Sequence, residues 1–196
     1  MRLFELLNRA VVIAALGGLL IGVIAVLAAE QVDRYTSTDA FCGTACHSMQ
    51  AYIATEETYV QSPHRTTASG VRAGCGDCHI SKAGIIPATW DHIKGGIKDI
   101  FVEATNDFSK PEVWEARRAK LAYSVRDKML ANDSANCRVC HEEDAIKPEK
   151  KRGQKQHADA VEQGLTCIGC HYNLVHREVD PRDSFLDEAE QGKKRQ

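Results

Sequence analysis

Aromatic residues are scarce in this chain, 6% of 196, and no cysteine stands outside four short clusters. So few rings make a conventional side-chain core thin, and a bound apolar group would have to supply the missing mass. Formal net charge is only −2 and no stretch forms a basic stripe, which removes the electrostatic footprint expected of a nucleic-acid binder. The length suits one domain, or one domain with an anchor.

Each cysteine cluster is a pair followed at once by a histidine: Cys42-Gly43-Thr44-Ala45-Cys46-His47, Cys75-Gly76-Asp77-Cys78-His79, Cys137-Arg138-Val139-Cys140-His141 and Cys167-Ile168-Gly169-Cys170-His171. Two thiols so spaced form thioethers with the two vinyl groups of one haem, and the adjoining histidine becomes an axial iron ligand. Two four-thiolate zinc sites, or four disulfides in an exported protein, would use the same cysteines. Neither explains a histidine after every pair, so the expected cofactors are four covalently bound haem c groups. Gly43, Thr44 and Ala45 make the first gap one residue longer than the other three. The loop under the first iron therefore differs, and His47 need not be its ligand. Met49 carries a thioether that can bind haem iron, or it only packs.

Four histidines remain: His64, His92, His157 and His176. A low-spin electron-transfer haem takes a second axial ligand, so histidines left over beside four irons are candidates for that role. Motif histidines His79, His141 and His171 then hold one face, while His64, His157 and His176 reach the other. The spacing does not say which serves which iron.

Ala10 to Ala29 is twenty residues without a charge, which as a helix is about 30 Å long, the thickness of a bilayer's hydrocarbon core. Val26-Leu27-Ala28 and Leu27-Ala28-Ala29 could pass as cleavage sites, but the stretch exceeds the roughly 7 to 15 residues of a signal peptide's apolar region. Arg2 and Arg9 precede it and Glu30 and Asp33 follow, so the positive-inside rule puts the N-terminus in the cytoplasm. The expected organisation is a cytoplasmic N-terminus at 1–9, a single-pass inner-membrane anchor at 10–29, a periplasmic tetrahaem domain at 30–176 and a charged, partly disordered tail at 177–196. The fold class is mainly α, a haem-packed domain of helices and loops with little or no sheet.

Within that domain a helix is expected over about 49–59. Trp90, Ile93, Ile97, Ile100 and Phe101 recur at spacings of three and four and predict an amphipathic helix from Pro87. Gly95-Gly96 inside it suggests close approach of a bulky group, a haem or quinone face, or ordinary helix packing. Ser109-Lys110-Pro111-Glu112 reads as a helix start with a serine cap, and the helix should run to about Asn132 as a scaffold between two haem pairs. Lys147 to Lys155 reads as a solvated loop, followed by a helix from near His157.

The first unit's Cys46-His47-Ser48-Met49, His64 ahead of Gly70-Val71-Arg72-Ala73-Gly74-Cys75, Ala131-Asn132-Asp133-Ser134 before Cys137, and Gly164-Leu165-Thr166 before Cys167 together resemble the NapC/NirT/NrfH family of membrane-anchored tetrahaem quinol dehydrogenases. The resemblance covers nearly the whole chain. It implies oxidation of membrane quinol and passage of electrons to a periplasmic reductase of nitrate, nitrite or a similar oxidant, in an oligomer or complex. It also implies methionine ligation or an open face at the first haem, matching Met49. A quinol pocket shaped by an acidic residue and a lysine is implied in the helix after the second unit, where Asp99 with Lys94 or Lys98 fits best and Asp91 and His92 are alternatives. His92 is read as a proton acceptor or quinol contact. A passive electron carrier between proteins, or flow in reverse into quinone, is the competing reading. The long first gap is the one departure from the family pattern, and it bears on how both thioethers form there.

Overall fold

A computed structural model describes residues 2–192. Ten α-helices and two short 3-10 turns follow one another, with no strand among the described residues, so the expected mainly α class holds.

Helix α1, Arg2–Thr36, is the longest. Its stretch Asn8–Thr36 is long and apolar enough to cross a membrane, and its most apolar window holds no buried residue. The helix outruns the apolar run expected at 10–29 because local bonds carry it into the polar neck. Arg34 pairs with Glu30 at 2.6 Å, and the Thr36 hydroxyl donates to Val32 O at 2.7 Å.

Short helices then carry the first two cysteine units: α2 (Asp39–Thr44), α3 (His47–Tyr52), α4 (Glu57–Val60) and α5 (Cys75–His79). The helix expected over 49–59 is broken in two, with a turn at 53–56 where Ala54 N donates back to Met49 O. Gly43 sits against that turn, and a Cβ there would lie 3.0 Å from Ala54 Cβ. The chain breaks where α2 and α3 must pack together.

Helix α6, Ile85–Thr105, contains the expected apolar stripe, and α7, Pro111–Ala131, follows. Gly95 and Gly96 lie within α6 with nothing within 4 Å of where a Cβ would stand, so no protein packing explains them. At the start of α7, Pro111 occupies the first turn as expected, but Ser109 is not the cap. Its hydroxyl and N–H both go to Asp107 Oδ1, at 2.5 and 3.2 Å, closing a turn ahead of the helix. The scaffold role of α7 is visible in Arg126, 5% exposed, which donates to Tyr172 O, Asn173 Oδ1 and Val179 O.

Helix α8 spans Lys151–Gln163, so the lysine-rich loop is helical from Lys151 and the helix starts earlier than His157. It ends on Gly164 at φ 67°, a left-handed stop natural to glycine. Helices α9 (Cys167–Cys170) and α10 (Asp183–Glu190) complete the chain. The last of these corrects the disordered-tail reading. Phe185, 2% exposed, and Ala189 pack with Leu130 of α7 and Ile168 of α9 in the main apolar cluster. Residues 193–196 of that tail lie outside the described residues.

Candidate functional site

Asp133 and Ser134, at φ 55° and 51°, turn the chain out of α7 into the third unit. Ser134, 1% exposed, shares a hydrogen bond of 2.6 Å with the Thr166 hydroxyl and accepts from Ile168 N at 3.0 Å. The approaches to the third and fourth units are thereby fastened to each other. Their leading thiols act on each other: Cys137 and Cys167 shift one another's ionisation, as do Cys42 and Cys75 of the first two units, Cys137 and Cys42 being pushed up and Cys167 and Cys75 down. The units therefore associate as one with two and three with four. Asn136 ties the couples together, its amide donating to Asp77 O, Cys78 O and Ile80 O.

No cysteine is in a disulfide. Among the described residues no three His, Cys, Asp or Glu side chains converge on an ion position, so the four-thiolate zinc arrangement is not built. The histidines are arranged differently. His79 faces His176 with ring centroids 6.3 Å apart, His141 faces His64 at 6.1 Å, and His171 faces His157 at 6.0 Å. Two imidazoles on opposite sides of one metal, each with a metal–nitrogen bond of roughly 2 Å, put their centroids about 6 Å apart. The three pairs thus fit haem irons with two histidine ligands, each joining a motif histidine to one outside the motifs. His64 and His176 reach across to units other than their chain neighbours, whereas His157 turns back to the unit that follows it.

Burial lowers the pKa of His64, His171 and His176, and neighbouring imidazoles add to the effect at His64 and His171. The pKa of His79 is lowered as well, with His176 and Lys128 adding to the effect. Neutral imidazole is the metal-binding form. Around the second unit, Tyr59 stacks on His176 at 5.7 Å and its hydroxyl lies 3.4 Å from Cys75 Sγ. Arg65 covers Tyr59 and pairs with Asp39, whose other oxygen accepts from Cys75 N at 2.7 Å.

The first unit has no such histidine pair. His47 is exposed at the start of α3, while Met49 is half-buried. What reaches this unit is α6. Glu103 accepts from both Ser48 N, at 2.8 Å, and Ser48 Oγ, at 2.7 Å, gripping the residue between His47 and Met49. Burial raises the Cys46 thiol, and the carboxylates of Glu103 and Asp99 raise it further. Asp99 is itself pushed above the ordinary carboxylate range by its surroundings and by Glu103, against the pull of Lys98.

On the same helix, His92 Nδ1 lies 2.9 Å from Asp33 Oδ1 of α1 and 3.1 Å from Ala88 O. Only Ala88 O stands in hydrogen-bonding geometry to Nδ1, while Nε2 and Asp33 Oδ1 are buried without a hydrogen-bond partner. Asp91 is engaged elsewhere, accepting from Ser81 N and pairing with Lys128 of α7, each at 2.9 Å. Lys94 and Lys98 are exposed. Two residues of this cluster carry no sequence motif. Glu103 is one turn beyond Asp99, a spacing that could have revealed it, whereas Asp33 shows itself only through contact.

Four thiol pairs with paired imidazoles are the donor set of a multihaem c-type cytochrome. A family model described as the NapC/NirT cytochrome c family, N-terminal region, matches residues 6–181. The cytochrome c-type protein TorY of Haemophilus influenzae is 38% identical over 161 residues, 80% of this chain and 41% of its own length. A tetraheme cytochrome c-type protein by name, from Nitrosomonas europaea, is 36% identical over 86% of this chain and 70% of its own. The denitrification system component NirT of Stutzerimonas stutzeri is 32% identical over 89% and 88%. The chain spans about two fifths of the TorY relative's length and most of NirT's. No solved structure matches the chain. The chain belongs to the NapC/NirT cytochrome c family, tetrahaem c-type cytochromes of respiratory electron transfer, and α1 fits the single-pass anchor of such a protein.

Proposed function

We propose that this cytochrome oxidises membrane quinol at its first haem unit and passes the electrons through the other three to a periplasmic reductase. The observation that carries the reading is that α6 brings Asp99 and Glu103 to the Cys46-His47-Ser48-Met49 loop while its His92 pairs with Asp33 at the end of the anchor. Ionisable groups, the irregular cysteine unit and the neck of the apolar helix thus share one place. The quinol is the substrate. One relative, NirT, is by name a denitrification system component, which supports work beside a reductase of an oxidised nitrogen compound.

The eight cysteines, the three histidine pairs and Met49 would hold haem c, which would supply one-electron acceptors. The chain's own residues handle the protons. Quinol oxidation releases two electrons and two protons, and each proton needs a base within hydrogen-bond reach. Asp99, whose raised pKa makes it a better base than an ordinary carboxylate, takes one, and His92, held beside Asp33, takes the other. Lys98, beside Asp99, offsets part of that rise and favours release of the proton to solvent. With α1 crossing the inner membrane N-terminus inward, residues 30–176 lie in the periplasm and the protons leave on that side.

Asp99→Asn keeps the shape of the side chain and removes the base. Quinol-dependent haem reduction in detergent should fall by about 100-fold or more, with four haems per chain retained by pyridine haemochrome. Unchanged quinol-dependent reduction removes Asp99 from the site. Four reducible haems with no quinol reactivity in the parent protein favour a passive carrier instead.

A further inference from the structure

Helix α6 presents Ile86, Trp90, Ile93, Ile97, Ile100 and Phe101 to the outside, each between 48% and 80% exposed. At 3.6 residues per turn these six fall in a sector roughly 100° wide. A contiguous apolar face of this size on a soluble surface marks a place where something docks. Ala88, 5% exposed, His92 and Glu103 occupy the other side of the helix and engage the rest of the chain, and Asp99 shares that side.

The depth of α6 says what covers that sector. Asp33 stands four residues beyond Ala29, the last uncharged residue of the apolar run, and so about 6 Å further along α1. That is the level of the lipid headgroups when α1 spans the bilayer. His92 lies 2.9 Å from Asp33, which fixes the middle of α6 at the same level. Lys94 and Lys98, both exposed, follow one edge of the apolar sector, where ammonium groups meet phosphates while their stems lie along the hydrocarbon. Trp90 suits the same boundary, apolar in its rings and polar at its N–H.

We propose that α6 is an interfacial helix, its apolar sector embedded among the acyl chains at the outer edge of the bilayer and its polar side forming the underside of the haem domain. The inference rests on α1 being the membrane span. It gives the chain a second hold on the membrane, which stops the domain from swinging about the neck. It also holds Asp99 and His92 at the depth where a lipid-soluble quinol ring emerges.

The test uses the full chain, loaded with haem, in nanodiscs of phosphatidylcholine and phosphatidylglycerol. Benzoylphenylalanine replaces Ile97 of the apolar sector, Leu20 of α1, or Arg152 of α8, each an exposed position. After irradiation, mass spectrometry should find lipid adducts at positions 97 and 20 and none at 152, in proteins with the parent's haem content. Lipid adducts at 20 without any at 97 overturn the proposal and leave the anchor standing. Crosslinks from 97 to a second copy of the chain also overturn it, because protein then covers the face. Absence of adducts at both positions removes the membrane span and the proposal with it.

Discussion

Asp39 shows how much one side chain can organise near a cysteine unit. One oxygen accepts from Cys75 N and the other pairs with Arg65, which lies over the Tyr59 ring that stacks on His176. Burial alone would push this carboxyl up, but the Cys75 N–H and the guanidinium together hold it below the usual carboxylate range. A depressed acid stabilises the fold above its unfolded pKa and loses that contribution as pH falls through its folded value. Acid titration should therefore show a loss of stability below about pH 4, and Asp39→Asn should flatten that limb. Because the pair is partly open to solvent, the cost of Asp39→Asn at neutral pH should be about 1 kcal/mol or less. Urea unfolding of parent and variant across the acid range, followed by the haem absorption, measures both effects.

At the scale of elements, α10 departs from the sequence expectation and α6 bears it out. Residues 177–192 are rich in charge, yet Phe185 and Ala189 lie one turn apart on a single face of α10 and close the cluster around Leu130 and Ile168. Gly169 permits the close packing, since a Cβ there would stand 3.1 Å from Ala189 Cβ. Phe185→Ala should cost about 3–5 kcal/mol, seen as a lower urea midpoint, and expose the C-terminal segment to proteolysis while leaving the first two units intact. Helix α6 was legible in sequence as an amphipathic helix, from the three-and-four spacing of its apolar residues. That spacing shows which residues share a face. It does not show that the face stays uncovered by protein, which depends on where α1 and the cysteine units stand.

Across the whole molecule, the chain is held together less by a continuous apolar core than by polar ties between its cysteine units. Asn136 is the principal tie between the two couples, offering one amide group to three carbonyl oxygens of the second unit and its exit. Asn136→Ala should leave those acceptors short of a donor and cost about 1–3 kcal/mol. It should also slow electron equilibration between the first and second couples of haems. Flash reduction followed by transient absorption tests the second outcome, and denaturant unfolding the first. A variant that loses stability with unchanged equilibration would show that Asn136 braces the fold without setting the distance between the couples.

Covalent chemistry and hydropathy act through local spacing, and to that extent the chain determined its own reading. The cysteine-histidine units, the apolar run of α1 and the helical character need only neighbours a few residues apart. The same locality made Met49 and the three-residue gap of Cys42 to Cys46 visible as the irregular copy. Partners far apart in the chain needed the tertiary structure. The pairing of His64 with His141 and of His176 with His79 was decided there, as were Glu103 against Ser48 and Asp33 against His92. Each of these joins residues from different elements, and the distance between two elements follows from how all the helices pack, which no local spacing encodes.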